Sequence, residues 1–168
     1  MIICAGREET FPFAEPMGVG LIESSINLTR RCLFDKPDFI LFIGTAGSYG
    51  KFNIFDIVES KRASNLELSF LSQDSYTPLD NVLESENKMV RNDTIVKTCE
   101  KYNNYGIGIE NMEYFSILSV AKEFEIPVAG IFIVTNFTNE NAHKDFIKNH
   151  KEAMSRLTQY LIDKKIIR

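Results

Sequence analysis

Two short stretches place carboxylates where they could share chemistry with their neighbours. In AGREETF, residues 5–11, Arg7, Glu8 and Glu9 come directly after a short apolar run. In GIENMEYFSILSVAKEF, residues 108–124, Glu110 and Glu113 stand three apart, just ahead of an apolar helical pattern. A carboxylate can take a proton from water or accept hydrogen bonds from neighbouring hydroxyls of a sugar. Acids at a helix start can equally do neither, and face water or favour the helix dipole. Two more stretches carry polar groups. GTAGSYG, residues 44–50, has small residues that let backbone N–H groups approach an anion or a sugar, and Thr45 adds a hydroxyl. The same composition builds a tight turn, and the Gly-Lys-Ser/Thr ending of a P-loop is absent. TNFTN, residues 135–139, offers the Asn136 amide, whose donor and acceptor suit a base edge as well as they suit a turn.

These residues need elements to position them. Residues 1–5 read as a short buried strand. Residues 22–34 carry Ile22, Ile26, Leu28 and Leu33 at spacings compatible with a helix, and Pro37 punctuates the chain soon after it. FILFIG, 39–44, and IPVAGIFIVTN, 126–136, are continuous apolar runs, the pattern of strands covered on both faces. A further strand is expected within 54–63 and a short helix over 94–103. The apolar stripe from Met112 to Phe124 predicts a helix, with Glu110 as a helix-start acid, and 141–165 predicts a long amphipathic helix. His143 and His150, near or on that helix among Lys and Asn, are expected to be exposed. Helices alternating with apolar strands indicate one α/β domain over residues 1–168, a central mixed sheet flanked by helices. Ligands in such sheets gather at the carboxyl ends of strands. That rule selects the loops after Cys4, Ile43 and Val134, where the unusual compositions lie.

With 168 residues the chain suits one core. A formal net charge of −4 gives no support to nonspecific binding of nucleic acid or a membrane surface, so a small metabolite is the expected ligand. Cys4, Cys32 and Cys99 are far apart and make no metal-ligand spacing, which points to reduced thiols and no metal site. The opening MIICAGREETF is too short an apolar run to read as a signal peptide, and no stretch approaches the ~20 apolar residues of a membrane span. The cytoplasm is the expected compartment.

Taken in order, MGVG (17–20), KPDFILFIGTAGSYG (36–50), FDIVES (55–60) and IENMEYFSILSVAKEFEIPVAGIFIVTN (109–136) resemble the nucleoside phosphorylase/nucleosidase superfamily. That family includes purine nucleoside phosphorylases and methylthioadenosine/S-adenosylhomocysteine nucleosidases. The resemblance implies cleavage of the N-glycosidic bond of a purine nucleoside. Glu113 would bind the ribose hydroxyls with Met112 packed beside the sugar. Gly44, Thr45, Ala46 and Gly47 would line the nucleophile side, and Asn136 would hold the base. Family members commonly have an aspartate that helps protonate the purine where this chain has Asn136, so hydrogen bonding would replace proton delivery.

Phosphorylases of this family bind phosphate with arginines at positions that here are Glu9 and Phe42. Nucleosidases have a glutamate at the first of them, which activates water. Glu9 as base therefore points to hydrolysis. The alternative is phosphorolysis, with phosphate as co-substrate and Arg7 as the cation near it. No other cofactor is implied, and a homodimer or larger homo-oligomer is. The chain departs from the family in two places. It reads Glu110-Asn111-Met112-Glu113 where nucleosidases show Glu-Met-Glu, and only PFAEP separates Phe11 from Met17, so strands are missing after the first loop. A noncatalytic nucleoside-binding relative, or a structural subunit whose glycine loops are only turns, are the other readings.

Overall fold

The two apolar runs become the centre of a mixed sheet, because backbone groups buried among apolar side chains must find partners on neighbouring strands. In this computed structural model the described residues are 1–65, 82–85, 94–96 and 108–168. In chain order the elements are β1 (Ile2–Cys4), β2 (Glu15–Pro16), α1 (Gly20–Phe34), β3 (Ile40–Ser48), β4 (Ile57–Ser60) and β5 (Arg62–Ser64). Then come β6 (Val82–Glu84), β7 (Thr94–Val96), β8 (Ile109–Glu110), α2 (Tyr114–Glu123), β9 (Val128–Phe137) and α3 (Ala142–Asp163). β3 pairs in parallel with β9 along its whole length and with β1 along its first half. β4 lies antiparallel on the far side of β9. Beyond the end of β1, the second half of β3 meets β8 instead, antiparallel.

Alternation along the strands sorts the core onto two faces. Ile40 and Phe42, with Val128 and Phe132, pack under α1 and α2; Leu41 and Ile43, with Ala129, Ile131 and Ile133, pack under α3. The rings of Phe42, Tyr114 and Phe132 touch at 5.2–5.9 Å between centroids. Gly130 is required beneath them, since a Cβ there would stand 2.8 Å from the Tyr114 ring. Asn149 of α3 donates to the Thr135 carbonyl at 2.8 Å, which ties that helix to the end of β9.

Several expectations change. The apolar run at 39–44 does not end in a loop: β3 continues through GTAGS to Ser48, because β9 and then β8 keep supplying partners, with a bulge between Ala46 and Gly47. The strand expected within 54–63 is two short strands, β4 and β5, separated at Lys61. Thr94–Val96 is a strand and not the start of a helix; the remainder of the helix expected to residue 103, and Cys99, lie outside the described residues. Glu110 belongs to β8, so it is no helix-start acid. Between Phe11 and Met17 the chain forms only the two-residue β2. Cys4 and Cys32 are free and buried. No helix among the described residues is long and apolar enough to cross a membrane.

Candidate active site

The partner exchange along β3 leaves a gap in its edge. Leu41 donates toward β1 and Ile40 toward β9, so odd-numbered residues of β3 face the β1 side. β1 is registered opposite Leu41 and Phe42, and β8 opposite Gly47 and Ser48. Thr45 falls between them, with its N–H and C=O facing a place that no described strand occupies. Side chains fill it. Glu9 accepts from the Thr45 N–H at 2.9 Å and from its hydroxyl, and the Asn111 amide donates to the Thr45 carbonyl at 3.1 Å. A pocket of about 500 Å³ opens here, at the carboxyl ends of β1, β3 and β9.

Glu9 arrives through a reversal immediately after β1. Gly6 and Arg7 both take left-handed backbone (φ +96° and +56°), and Gly6 and Glu9 exchange backbone hydrogen bonds at 3.0 and 3.3 Å. Gly44 does not line the pocket, contrary to expectation. Its lack of a side chain leaves room behind, since a Cβ there would stand 3.1 Å from the Glu9 carboxylate. Burial pushes the Glu9 carboxyl above its ordinary value; the two bonds from Thr45 and the charge of nearby His150 pull the other way.

Glu113 reaches the opposite wall from the start of α2. It is 4% exposed, and its Oε1 accepts from the Gly20 N–H at 2.8 Å. Gly20 opens α1, so the MGVG segment serves to bring one backbone N–H to this carboxylate. Asn111 explains why the longer Glu-Asn-Met-Glu spelling is accommodated. Its Oδ1 accepts from the N–H groups of Glu113 and Tyr114 at 3.0 and 2.9 Å, a side-chain turn that leads into α2.

The pocket also brings together Arg7, Thr45, Ala46, Gly47, Met112 and Asn136 from the sequence-based set. Asn136 is buried; its Oδ1 accepts from the Thr135 hydroxyl at 2.9 Å and its Nδ2 donates to the Phe137 carbonyl at 3.1 Å. Arg7 is exposed and paired with Glu23 at 3.0 Å. Sequence reasoning missed Val19, Asn111, Ala142 and Phe146 as lining residues. It also missed Glu110, read as a helix-start acid, and His143, read only as exposed. An Asn just ahead of a helical stripe is a turn signal and could have marked Asn111; no local signal marks the others. His150 corrects its expectation: it is buried, stacked on Phe146 and bonded to the Ile147 carbonyl at 3.0 Å, because this face of α3 turns toward the sheet. His143 is exposed at the rim. Among the described residues, no group of three His, Cys, Asp or Glu side chains is placed to hold a metal ion.

The sequence profile of the phosphorylase superfamily matches residues 79–164. No curated protein matches the sequence significantly. Among solved structures, the fold is similar to the 5′-methylthioadenosine/S-adenosylhomocysteine nucleosidase of Helicobacter pylori, with a TM-score of 0.78, 16% identity, and 96% of this chain and 95% of that one covered. It is similar to futalosine hydrolase of the same organism, with a TM-score of 0.77, 16% identity and coverage of 95% and 94%. The corresponding nucleosidase of S. pneumoniae has a TM-score of 0.72, with 15% identity and 95% of each chain covered. At these identities the likeness is one of fold.

Proposed function

The chain belongs to the phosphorylase superfamily, and from that membership we propose that it cleaves the N-glycosidic bond of a purine nucleoside by hydrolysis. The observation that carries this reading is the placement of Glu9 and Glu113 on the walls of one pocket, each oriented by hydrogen bonds from backbone N–H groups. Glu113 accepts the ribose hydroxyls. Glu9, ionised, takes a proton from water as the water attacks the anomeric carbon. Glycosidic cleavage passes through a sugar with oxocarbenium character, and carboxylates beside it stabilise the developing positive charge. Asn136 has one Nδ2 hydrogen committed to Phe137 and a second to donate to the departing base.

Hydrolysis is preferred to phosphorolysis on charge. Arg7 is the one Lys or Arg among the described lining residues, and Glu23 already neutralises it, whereas Glu8, Glu9, Glu110 and Glu113 share the same pocket. Four acids repel a phosphate dianion and accept water. The names of the similar structures, nucleosidase and hydrolase, support the same choice.

The deciding experiment incubates the protein with inosine, guanosine, adenosine and 5′-methylthioadenosine, with and without phosphate, and separates free base by chromatography. Base released without phosphate is the expected result. Release only with phosphate would reassign the enzyme as a phosphorylase, and no release from any nucleoside would favour a noncatalytic binding protein.

The proposal includes self-association as a homodimer or larger. Ile22, Ile26 and Leu33 lie along one stripe of α1 and are 75%, 54% and 71% exposed, with Phe34 beside them at 87%. Such a stripe on a surface helix is a contact surface in need of a partner. Light scattering should give at least twice the chain mass, and Ile22→Glu with Phe34→Glu should reduce it to one. A wild-type monomer would remove this part of the proposal.

A further inference from the structure

An unbroken hydrogen-bonded run crosses the gap in the edge of β3 and joins the two walls of the pocket. Glu9 accepts from the N–H and hydroxyl of Thr45; the Thr45 carbonyl accepts from the Asn111 amide at 3.1 Å; the same amide's oxygen accepts from the Glu113 N–H at 3.0 Å. We propose that Thr45 and Asn111 are positioning residues that hold Glu9 and Glu113 in one fixed geometry, so that base and ribose anchor act as a unit. The inference rests on the function proposed above and deepens it.

The physical case is one of commitment. Thr45 is 6% exposed, and its N–H, hydroxyl proton and carbonyl are all used within the protein. Its role is therefore to hold Glu9, not to bind substrate. Asn111 does what no apolar residue could: its oxygen holds the Glu113 and Tyr114 N–H groups that lead into α2 while its nitrogen closes the open edge of β3. Without that bridge the start of α2, and Glu113 with it, would have no hydrogen bond to Thr45 and would be held against β3 by ring packing of Tyr114 on Phe42 and by the chain running in from β8. Misplacement of a catalytic group by about 1 Å can cost roughly 100-fold in rate.

The test uses the full chain and two variants. Asn111→Ser keeps an oxygen that can accept from the N–H groups leading into α2 and is too short to reach the Thr45 carbonyl. Thr45→Val keeps the N–H and the shape but removes the hydroxyl. Each is measured for thermal unfolding, for kcat and KM on the nucleoside that wild type cleaves, and for the titration of the Glu9 carboxyl by carbon-13 NMR. Asn111→Ser is expected to unfold within a few degrees of wild type, with kcat lowered about tenfold or more and KM moved less. In Thr45→Val, the carboxylate loses a bond that stabilises its charge, so Glu9 titrates at higher pH and the acid limb of the rate profile moves with it. Wild-type kcat and KM in Asn111→Ser, or an unmoved Glu9 titration in Thr45→Val, would overturn the proposal. Should wild type cleave no nucleoside, the functional reading fails separately and NMR still decides the span. A Glu9 titration shifted in Asn111→Ser, across a gap the two side chains do not bridge directly, supports it; an unshifted one refutes it.

Discussion

Glu113→Gln is expected to lower kcat/KM on the cleaved nucleoside by about 10²–10⁴-fold while the protein stays folded. The amide keeps an oxygen for the Gly20 N–H, which the carboxylate now accepts at 2.8 Å, so the local packing survives. What is lost is the negative charge. A hydrogen bond to a charged group contributes roughly 1.5–3 kcal/mol, and two ribose hydroxyls make the total about 3–6 kcal/mol. By transition-state arithmetic that range corresponds to about 10²–10⁴ in rate. The loss should appear in kcat as well as KM, because the interaction strengthens as the sugar becomes cationic. Glu113→Asp, which retracts the carboxylate by one methylene, should recover only part of the rate. Unchanged kinetics in Glu113→Gln would remove Glu113 from the site.

Glu9→Gln separates activity from stability. As general base, Glu9 must be ionised, and its replacement should cost about 10²–10⁴ in kcat. Because burial holds its carboxyl above the ordinary value, wild-type activity should fall as pH drops through that raised pKa, at higher pH than for an exposed glutamate. The stability effect has the opposite sign. A carboxylate whose folded pKa is raised above its unfolded value destabilises the fold when ionised; the penalty is full above the folded pKa and absent below the unfolded one. Glu9→Gln should therefore raise Tm at neutral pH, and the gain should shrink as pH falls toward the ordinary carboxylate range. An inactive variant with Tm lowered at every pH would mean that Glu9 is a structural acid.

Local pattern was enough for the sheet's centre and for its helices. Continuous apolar runs can only be strands or helices buried on both sides, and FILFIG and IPVAGIFIVTN are short enough to be strands. A 3.6-residue stripe from Met112 onward gave α2, and the long polar–apolar alternation after 141 gave α3. The rule that ligands gather at strand ends located the pocket from those runs, because it depends only on strand direction.

Where the chain needed a distant partner, pattern was silent. Glycine-rich GTAGS looks like a turn by composition, yet it is strand, since hydrogen bonds from β9 and β8 outweigh local propensity. His150 looked solvated among lysines, but helix phase alone does not say which face meets the sheet. Asn111 looked like an inserted residue that broke a spacing; only the structure shows it spanning a helix start and an open strand edge. The amino-acid sequence by itself determined the α/β layering, which rests on apolar periodicity, and the resemblance carried by its contiguous motifs implied the family and the two carboxylates proposed to act. Tertiary structure decided how those carboxylates are held. Glu9 and Asn111 meet at Thr45 because β1 ends before β8 begins, and a gap between two strands distant in sequence is written in no local stretch of either.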